Sequence, residues 1–214
     1  MKPFLIAYSL FVLVVSAVLI VFSKETSFLM INGWHTDFGD LVFPFITHLG
    51  GGFISGLVVV VFLFISYRWV IICSVSFVVT GLITQLLKRT VFADCVRPMK
   101  FFADNQVVHT VPGVDMHMYN SFPSGHTTVV FSLFFILALT LKGQQRGWGI
   151  LFLLLAVLGG YSRIYLGQHF PEDVLAGSLI GVLVTYLCYF LVNSLLRDRK
   201  WAQRGLFKKA ISHE

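Results

Sequence analysis

Charged residues are scarce. They occupy 12% of the 214 positions, where a soluble domain carries roughly 25%. Hydrophobic residues make up 57%, and the mean hydropathy is +0.82. This excludes a water-soluble fold around one large core, because several apolar runs reach the ~18 residues that a spanning helix needs. Cysteine is scarce too. Cys73 and Cys188 lie inside apolar runs as packing residues, and Cys95 sits in a polar stretch without a partner. An odd, scattered set gives neither a disulfide framework nor metal spacing. Internal repeats, low-complexity tracts and a second domain are lacking as well. The net charge of +6 admits nucleic-acid binding in principle. The basic residues, however, sit at the ends of apolar runs, which points to membrane topology and a small anion site instead.

What is present is a series of apolar runs. The fold class expected is all-α, an integral membrane bundle of six transmembrane helices. The spans fall at about 4–22, 53–66, 70–87, 123–141, 148–163 and 171–196, with a basic cytoplasmic tail over 197–214. The first run is long and shows no small-x-small cleavage site before Lys24, so it reads as a retained helix and not as a signal peptide. A loop is expected from Ser23 to about Gly50. Its apolar piece, Leu41 to Leu49, either lies along the interface or extends the second helix. Tyr67-Arg68-Trp69 reads as a tight turn, Lys88 to Ser121 as a long hydrophilic loop, and Lys142 to Arg146 as a short basic turn.

Six spans put both termini on one side, and the charges say which. The terminal side carries ten basic residues (Lys2, Arg68, Lys142, Arg146 and six in the tail) against two acidic ones. The opposite side carries six basic residues against eight acidic. The balance is +8 against −2, so the positive-inside rule places both termini in the cytoplasm of a plasma (inner) membrane. Trp69, Trp148 and Trp201 fall at cytoplasmic span ends and Trp34 in an external loop, as an aromatic belt requires. On the acidic outer side, the cluster of Lys88, Arg89, Arg97, Lys100 and Arg163 needs a local reason.

Three segments at outer span ends hold nearly all the unusual polar residues: Lys88 to Pro98, Ser121 to His126, and Ser162 to Asp173. In the third, His169 and Asp173 are four apart around a helix that starts near Pro171. A carboxylate there can accept the proton on one ring nitrogen and leave the other free to attack. Arg163 ends the preceding helix, and its planar fork suits phosphate oxygens once the loop folds back. In the second segment, Ser124, Gly125 and His126 open a helix whose backbone N–H groups form an anion site. His126 is placed to donate a proton to a leaving alkoxide. Arg97, with Lys88 or Arg89, adds further clamps. Phosphoryl transfer needs this set: positive donors, an in-line nucleophile and an acid.

Each residue also has an ordinary reading. A lone histidine at a helix end often caps or faces headgroups, arginines at span ends snorkel to lipid phosphate, and Pro-Ser-Gly is a common helix start. The joint occurrence at one face is what these readings leave unexplained. His35, His48, His109 and His117 are expected as loop or interfacial residues, and His213 lies in the tail. No grouping resembles a zinc set.

These segments resemble the three signature motifs of the type 2 phosphatidic acid phosphatase superfamily, over about residues 50–196. The third motif, S-R-x5-H-x3-D, is matched by Ser162, Arg163, His169 and Asp173, and the second, P-S-G-H, by Pro123 to His126. The first, K-x6-R-P, departs: Lys88 precedes Arg97 by an x8 spacing and Arg89 by x7. Either the segment bulges and Lys88 still reaches the phosphate, or Arg89 takes its place. The resemblance implies a lipid phosphatase in which His169 attacks phosphorus, Asp173 orients it, and His126 protonates the leaving group and then activates water. Lys88, Arg97, Arg163, Ser124 and Gly125 would hold the phosphate, with no metal and no cofactor. The expected partners are a lipid phosphate substrate and membrane lipids. Undecaprenyl diphosphate, phosphatidylglycerol phosphate, phosphatidic acid and lipid A phosphate all fit. The alternatives are a lipid-to-lipid phosphotransferase using the same residues, and a non-catalytic lipid-binding or transport protein.

Overall fold

The computed structural model of the chain describes residues 1–103 and 108–207. Asp104 of the hydrophilic loop, and Lys208, Lys209 and His213 of the tail, lie outside the described residues. Helices α1 (Lys2–Val21), α2 (Lys24–Asn32), α3 (Asp37–Ile46), α4 (Gly52–Ile65) and α5 (Tyr67–Leu86) form the first half. Helices α6 (Pro98–Phe101), α7 (Gly125–Thr140), α8 (Gly149–Tyr165) and α9 (Pro171–Leu196) form the second, and the described residues contain no strand.

α1, α5 with its continuation to Val91, α8 with the turn before it, and α9 are long and apolar enough to cross a membrane. The segment Asp37–Gly50 and α4 pass that test together, bent by 51° at the glycines, as one further candidate. The structure therefore offers four or five spans by length and composition, not the six expected. The shortfall has a physical cause. α4 has 14 residues and α7 has 16, about 21 and 24 Å at 1.5 Å per residue, against a hydrocarbon core of roughly 30 Å. The six apolar helices nonetheless begin and end within three residues of the expected bounds.

The region expected as a loop before Gly50 is mostly helical. Ser23 caps α2 by accepting from the Thr26 N–H at 3.2 Å, and Thr36 caps α3 by accepting from the Gly39 N–H at 3.0 Å. Each supplies an acceptor for an otherwise orphan N–H. The first part of the tail is also docked. The Tyr67 and Arg68 amides donate to the Arg204 and Ala202 carbonyls, both at 2.8 Å.

α7 is the central helix. It packs on α5, α8 and α9 and buries Val130, Phe131, Leu133, Phe135 and Ile136 almost completely. The outer helices do the reverse. Ile6, Leu10 and Leu13 on α1, and Leu183, Leu187 and Phe190 on α9, are all more than half exposed. Apolar exposure on this scale belongs against lipid. The α7–α9 contact sets the site. A Cβ at Gly177 would lie 2.6 Å from the Ser124 carbonyl oxygen, and one at Gly181 would lie 2.6 Å from that of Thr128. Small residues here let the two backbones close, as at membrane helix interfaces generally. The second and third sequence motifs meet as a result.

Candidate active site

Ser124 is the N-cap of α7. Its hydroxyl accepts from the Thr127 N–H and hydroxyl at 3.4 and 2.8 Å, and its own N–H donates to the Asp173 carbonyl at 3.0 Å. Both of its polar groups are occupied, and the residue is fully buried. Ser124, expected on the phosphate, thus serves the helix start, while Gly125 and His126 line a cavity of about 650 Å³. His126 is exposed to that cavity.

The third motif folds back as its loop length suggested. α8 ends in a turn with Gly167 at φ +67°, a left-handed conformation that glycine adopts without strain. The Gln168 and His169 amides then donate to the Arg163 carbonyl at 2.9 and 3.2 Å. This returns His169 to the cavity wall, with 1% of its surface exposed. Asp173 occupies the third position of α9, and one of its oxygens does three things. Oδ2 accepts from the Phe170 N–H at 3.0 Å, capping the helix. It lies 3.1 Å from His169 Nδ1. It also accepts from the Ser121 hydroxyl at 2.5 Å. A ring with Nδ1 held by a carboxylate keeps its proton there and presents Nε2 to the cavity. Burial pushes the pKa of His169 well below the usual histidine value, and the nearby charges of Arg97, Arg163 and Lys88 push in the same direction. Both effects favour the neutral ring.

Arg97 and Lys88 line the same cavity. Lys88 lies in a π turn, Leu87–Val91, closed by the Phe92 N–H on the Leu87 carbonyl at 2.9 Å. A π turn holds one extra residue within a helix, so it takes up one of the two residues by which the x8 spacing exceeds x6, and Lys88 stays on the cavity wall. Lys88 is buried and donates to the Asn120 carbonyl at 2.6 Å. Arg89 is exposed and does not line the cavity. Arg163 is 6% exposed, and its Nη1 donates to Thr47 Oγ1 at 2.5 Å. Among the described residues, none of these three cations has a carboxylate at ion-pair distance.

Sequence reading passed over Thr47, Ser121 and Gln168, which touch the motif residues from behind. Only Ser121 carried a signal, two positions before the P-S-G-H run. His117 does line the cavity. His109 is a loop residue as expected, and it pairs with Asp40 at 2.8 Å and stacks on His35, with ring centroids 3.8 Å apart.

Comparison with known proteins follows the same segments. The PAP2 superfamily model matches residues 69–197, more than half of the chain. The bacitracin transport permease protein BcrC of Bacillus licheniformis is 42% identical over 82 residues, 38% of this chain and 38% of that protein. The undecaprenyl-diphosphatase BcrC of Bacillus subtilis is 31% identical over 120 residues, 56% of this chain and 55% of that protein. The matched regions thus span about half or less of these relatives. The crystal structure of a transmembrane PAP2 type phosphatidylglycerolphosphate phosphatase from Bacillus subtilis superposes with a TM-score of 0.65 at 24% identity, covering 91% of this chain and 98% of that one. At that identity the likeness speaks for the fold, and the fold, the matched residues and the motif geometry agree: this chain belongs to the PAP2 superfamily.

Proposed function

We propose that the protein is a metal-independent lipid phosphatase that hydrolyses a lipid phosphomonoester or diphosphate through a phosphohistidine at the external membrane face. One observation carries the reading. Lys88 and Arg97 line one cavity with a buried histidine whose Nδ1 is held by Asp173, Arg163 lies buried beside that histidine's backbone, and among the described residues none of the three cations has a carboxylate at ion-pair distance. Unpaired buried positive charge is costly unless an anion completes it, and a phosphate has the geometry to do so. The relative named undecaprenyl-diphosphatase makes undecaprenyl diphosphate the first substrate to test.

In the reaction, His169 Nε2 attacks phosphorus as the bond from phosphorus to the leaving oxygen breaks. His126 supplies the proton that this oxygen takes up. Lys88, Arg97, Arg163 and the Gly125 amide hold the equatorial oxygens as charge redistributes. Water then attacks the phosphohistidine, His126 takes its proton, the N–P bond breaks, and inorganic phosphate leaves. Counting the bent α3–α4 pair and α7 as crossings gives six spans. The charge asymmetry supports termini in the cytoplasm and a site at the periplasmic or external face.

The test is phosphate release from undecaprenyl diphosphate, phosphatidylglycerol phosphate, phosphatidic acid and lipid A phosphate, in parallel, with and without chelator. Activity on at least one lipid in both conditions is expected, together with an acid-labile phosphorylated protein that His169→Ala does not form. No release from any of the four overturns the proposal. The relative named as a transport permease favours a second reading, a non-catalytic transport protein, and the same panel decides it. Adding an unphosphorylated acceptor lipid separates hydrolysis from phosphotransfer.

A further inference from the structure

The cations of the site are all held by neutral oxygens. Arg97 Nη1 donates to Gln168 Oε1 at 3.0 Å, and Arg97 Nε donates to the Tyr119 carbonyl at 3.0 Å. Arg163 Nη1 donates to the Thr47 hydroxyl at 2.5 Å. Lys88 Nζ donates to two backbone carbonyls, those of Asn120 and Ser121. The two carboxylates nearest in sequence to His169 are engaged elsewhere, Glu172 with Lys24 at 2.8 Å and Asp173 with His169.

Two of these acceptors are side chains, and their chemistry is specific. Gln168 is 1% exposed and satisfied at both ends. Its amide nitrogen donates to the Asp115 carbonyl at 2.8 Å and to Met116 Sδ at 3.1 Å. Because that end faces a carbonyl, the amide must point its oxygen at Arg97. A glutamate of the same shape would bond Arg97 more strongly, but its negative charge would cancel the charge that the guanidinium offers to an anion. An aspartate at position 47 would do the same to Arg163.

We propose that Gln168 and Thr47 are positioning residues of the phosphate site, which aim Arg97 and Arg163 with neutral acceptors so that both arginines keep their charge for the substrate. The assignment rests on the phosphate reading above. It makes a prediction that a merely structural role does not. If the two residues only tied elements together, losing the hydrogen bond would be the harmful change. If they preserve charge, gaining a carboxylate is worse than losing the bond.

The experiment measures inorganic phosphate binding to the full chain in detergent by titration calorimetry, with a thermal melt for each variant. Gln168→Glu is expected to weaken phosphate at least tenfold and Gln168→Leu about threefold or less, with both melting close to wild type. Thr47→Asp and Thr47→Val repeat the pair at a half-buried position, so the proposal stays testable if one Gln168 variant does not fold. Gln168→Glu should also raise KM for a hydrolysed lipid more than it lowers kcat. Equal weakening by the acidic and apolar variants at both positions overturns the proposal, as does wild-type phosphate affinity in Gln168→Glu and Thr47→Asp. Binding needs no turnover, so the two readings separate. A protein that binds phosphate but hydrolyses no lipid loses the phosphatase reading, while the variant series still decides this one. A wild-type protein that binds no phosphate overturns this proposal, while lipid hydrolysis still decides the phosphatase reading.

Discussion

Two histidine–aspartate pairs lie beside the C-terminal end of α8, and only one of them faces the cavity. His169 and Asp173 are 3.1 Å apart, with side chains 2% and 0% exposed. His109 and Asp40 are 2.8 Å apart, with side chains 17% and 29% exposed. By distance the second pair is the better one. It is also well supported, because Asp40 accepts from the Tyr165 hydroxyl at 2.6 Å and Asn32 holds both backbone groups of His109. Neither residue is on the cavity wall, and among the described residues the only charges acting on Asp40 are those of His109 and His35. The pairing of imidazole with carboxylate therefore does not mark a nucleophile. The mark is the surroundings: a cavity that His126, Lys88 and Arg97 also line, with Arg163 buried beside it, and among the described residues no carboxylate at ion-pair distance from these cations.

The largest expected effect tests that distinction directly. His169→Ala should lower turnover by a factor on the order of 10⁵, as loss of a nucleophile does elsewhere. His126→Ala should lower it by about 10²–10⁴, the usual worth of a general acid–base group. Steady-state phosphate release from the best lipid of the panel measures both. A His169→Ala protein that turns over at the wild-type rate would break the comparison at its root.

The cations come next. Lys88→Ala should cost about 10²–10³ in kcat/KM, on the scale of removing one donor that stabilises developing charge. Arg89→Ala, one residue away on the exposed side of the π turn, should stay within about twofold, as surface changes usually do. Equal losses in the two variants would mean that the π turn does not select between them.

A smaller effect concerns protonation. Burial and three neighbouring cations hold the His169 pKa below 6.5, so the folded chain binds fewer protons at this site than the unfolded chain just below that pH. The site's contribution to stability is then present above 6.5 and diminishes as the pH falls toward the depressed value. The ring signal of His169, assigned by its disappearance in His169→Ala, should show no titration midpoint near 6.5 by NMR of the ligand-free protein. A midpoint at or above 6.5 would mean that the cations do not act on this ring.

Much of this was legible in the chain itself, for identifiable reasons. Long apolar runs have one stable form in lipid, so six helices fell within three residues of expectation. The grouping of Arg163, His169 and Asp173 was legible because their spacing is short and each successive pair straddles a helix end, and His126 because it closes the Pro123–His126 helix start. Lys88 against Arg89 was not, because an x8 spacing does not say whether a π turn takes up part of the added length. α2 was missed although Ser23 is an ordinary cap, because a helix of 9 residues carries too little periodic signal beside a 20-residue span; α3 was legible only in its apolar part from Leu41, as one of two readings an extension of the second helix, while its start at Thr36 was not. Thr47 gave no signal, because it meets Arg163 across 116 residues; Ser121 stood two positions before the P-S-G-H run, but its partner Asp173 is 52 residues away. Gln168 was adjacent to His169, but its partner Arg97 is 71 residues away. Contacts of that kind exist only once α7, α8 and α9 have packed.

The smallest effect belongs to the second pair. His109→Ala and Asp40→Asn remove a half-exposed hydrogen bond and part of a ring stack, which should lower stability by on the order of 1 kcal/mol. The His109 backbone stays tied to Asn32, and Tyr119, Asn120 and Ser121, which hold Arg97 and Lys88, are reached through a different part of the loop. Turnover should therefore remain within about twofold of wild type, in line with a change remote from reacting atoms. A thermal melt and a steady-state assay run side by side check this. A tenfold loss of kcat in both variants, with the melt unchanged, would make the exposed pair a working part of the site. In that case the cavity and its unpaired cations would no longer separate a catalytic histidine–aspartate pair from a structural one.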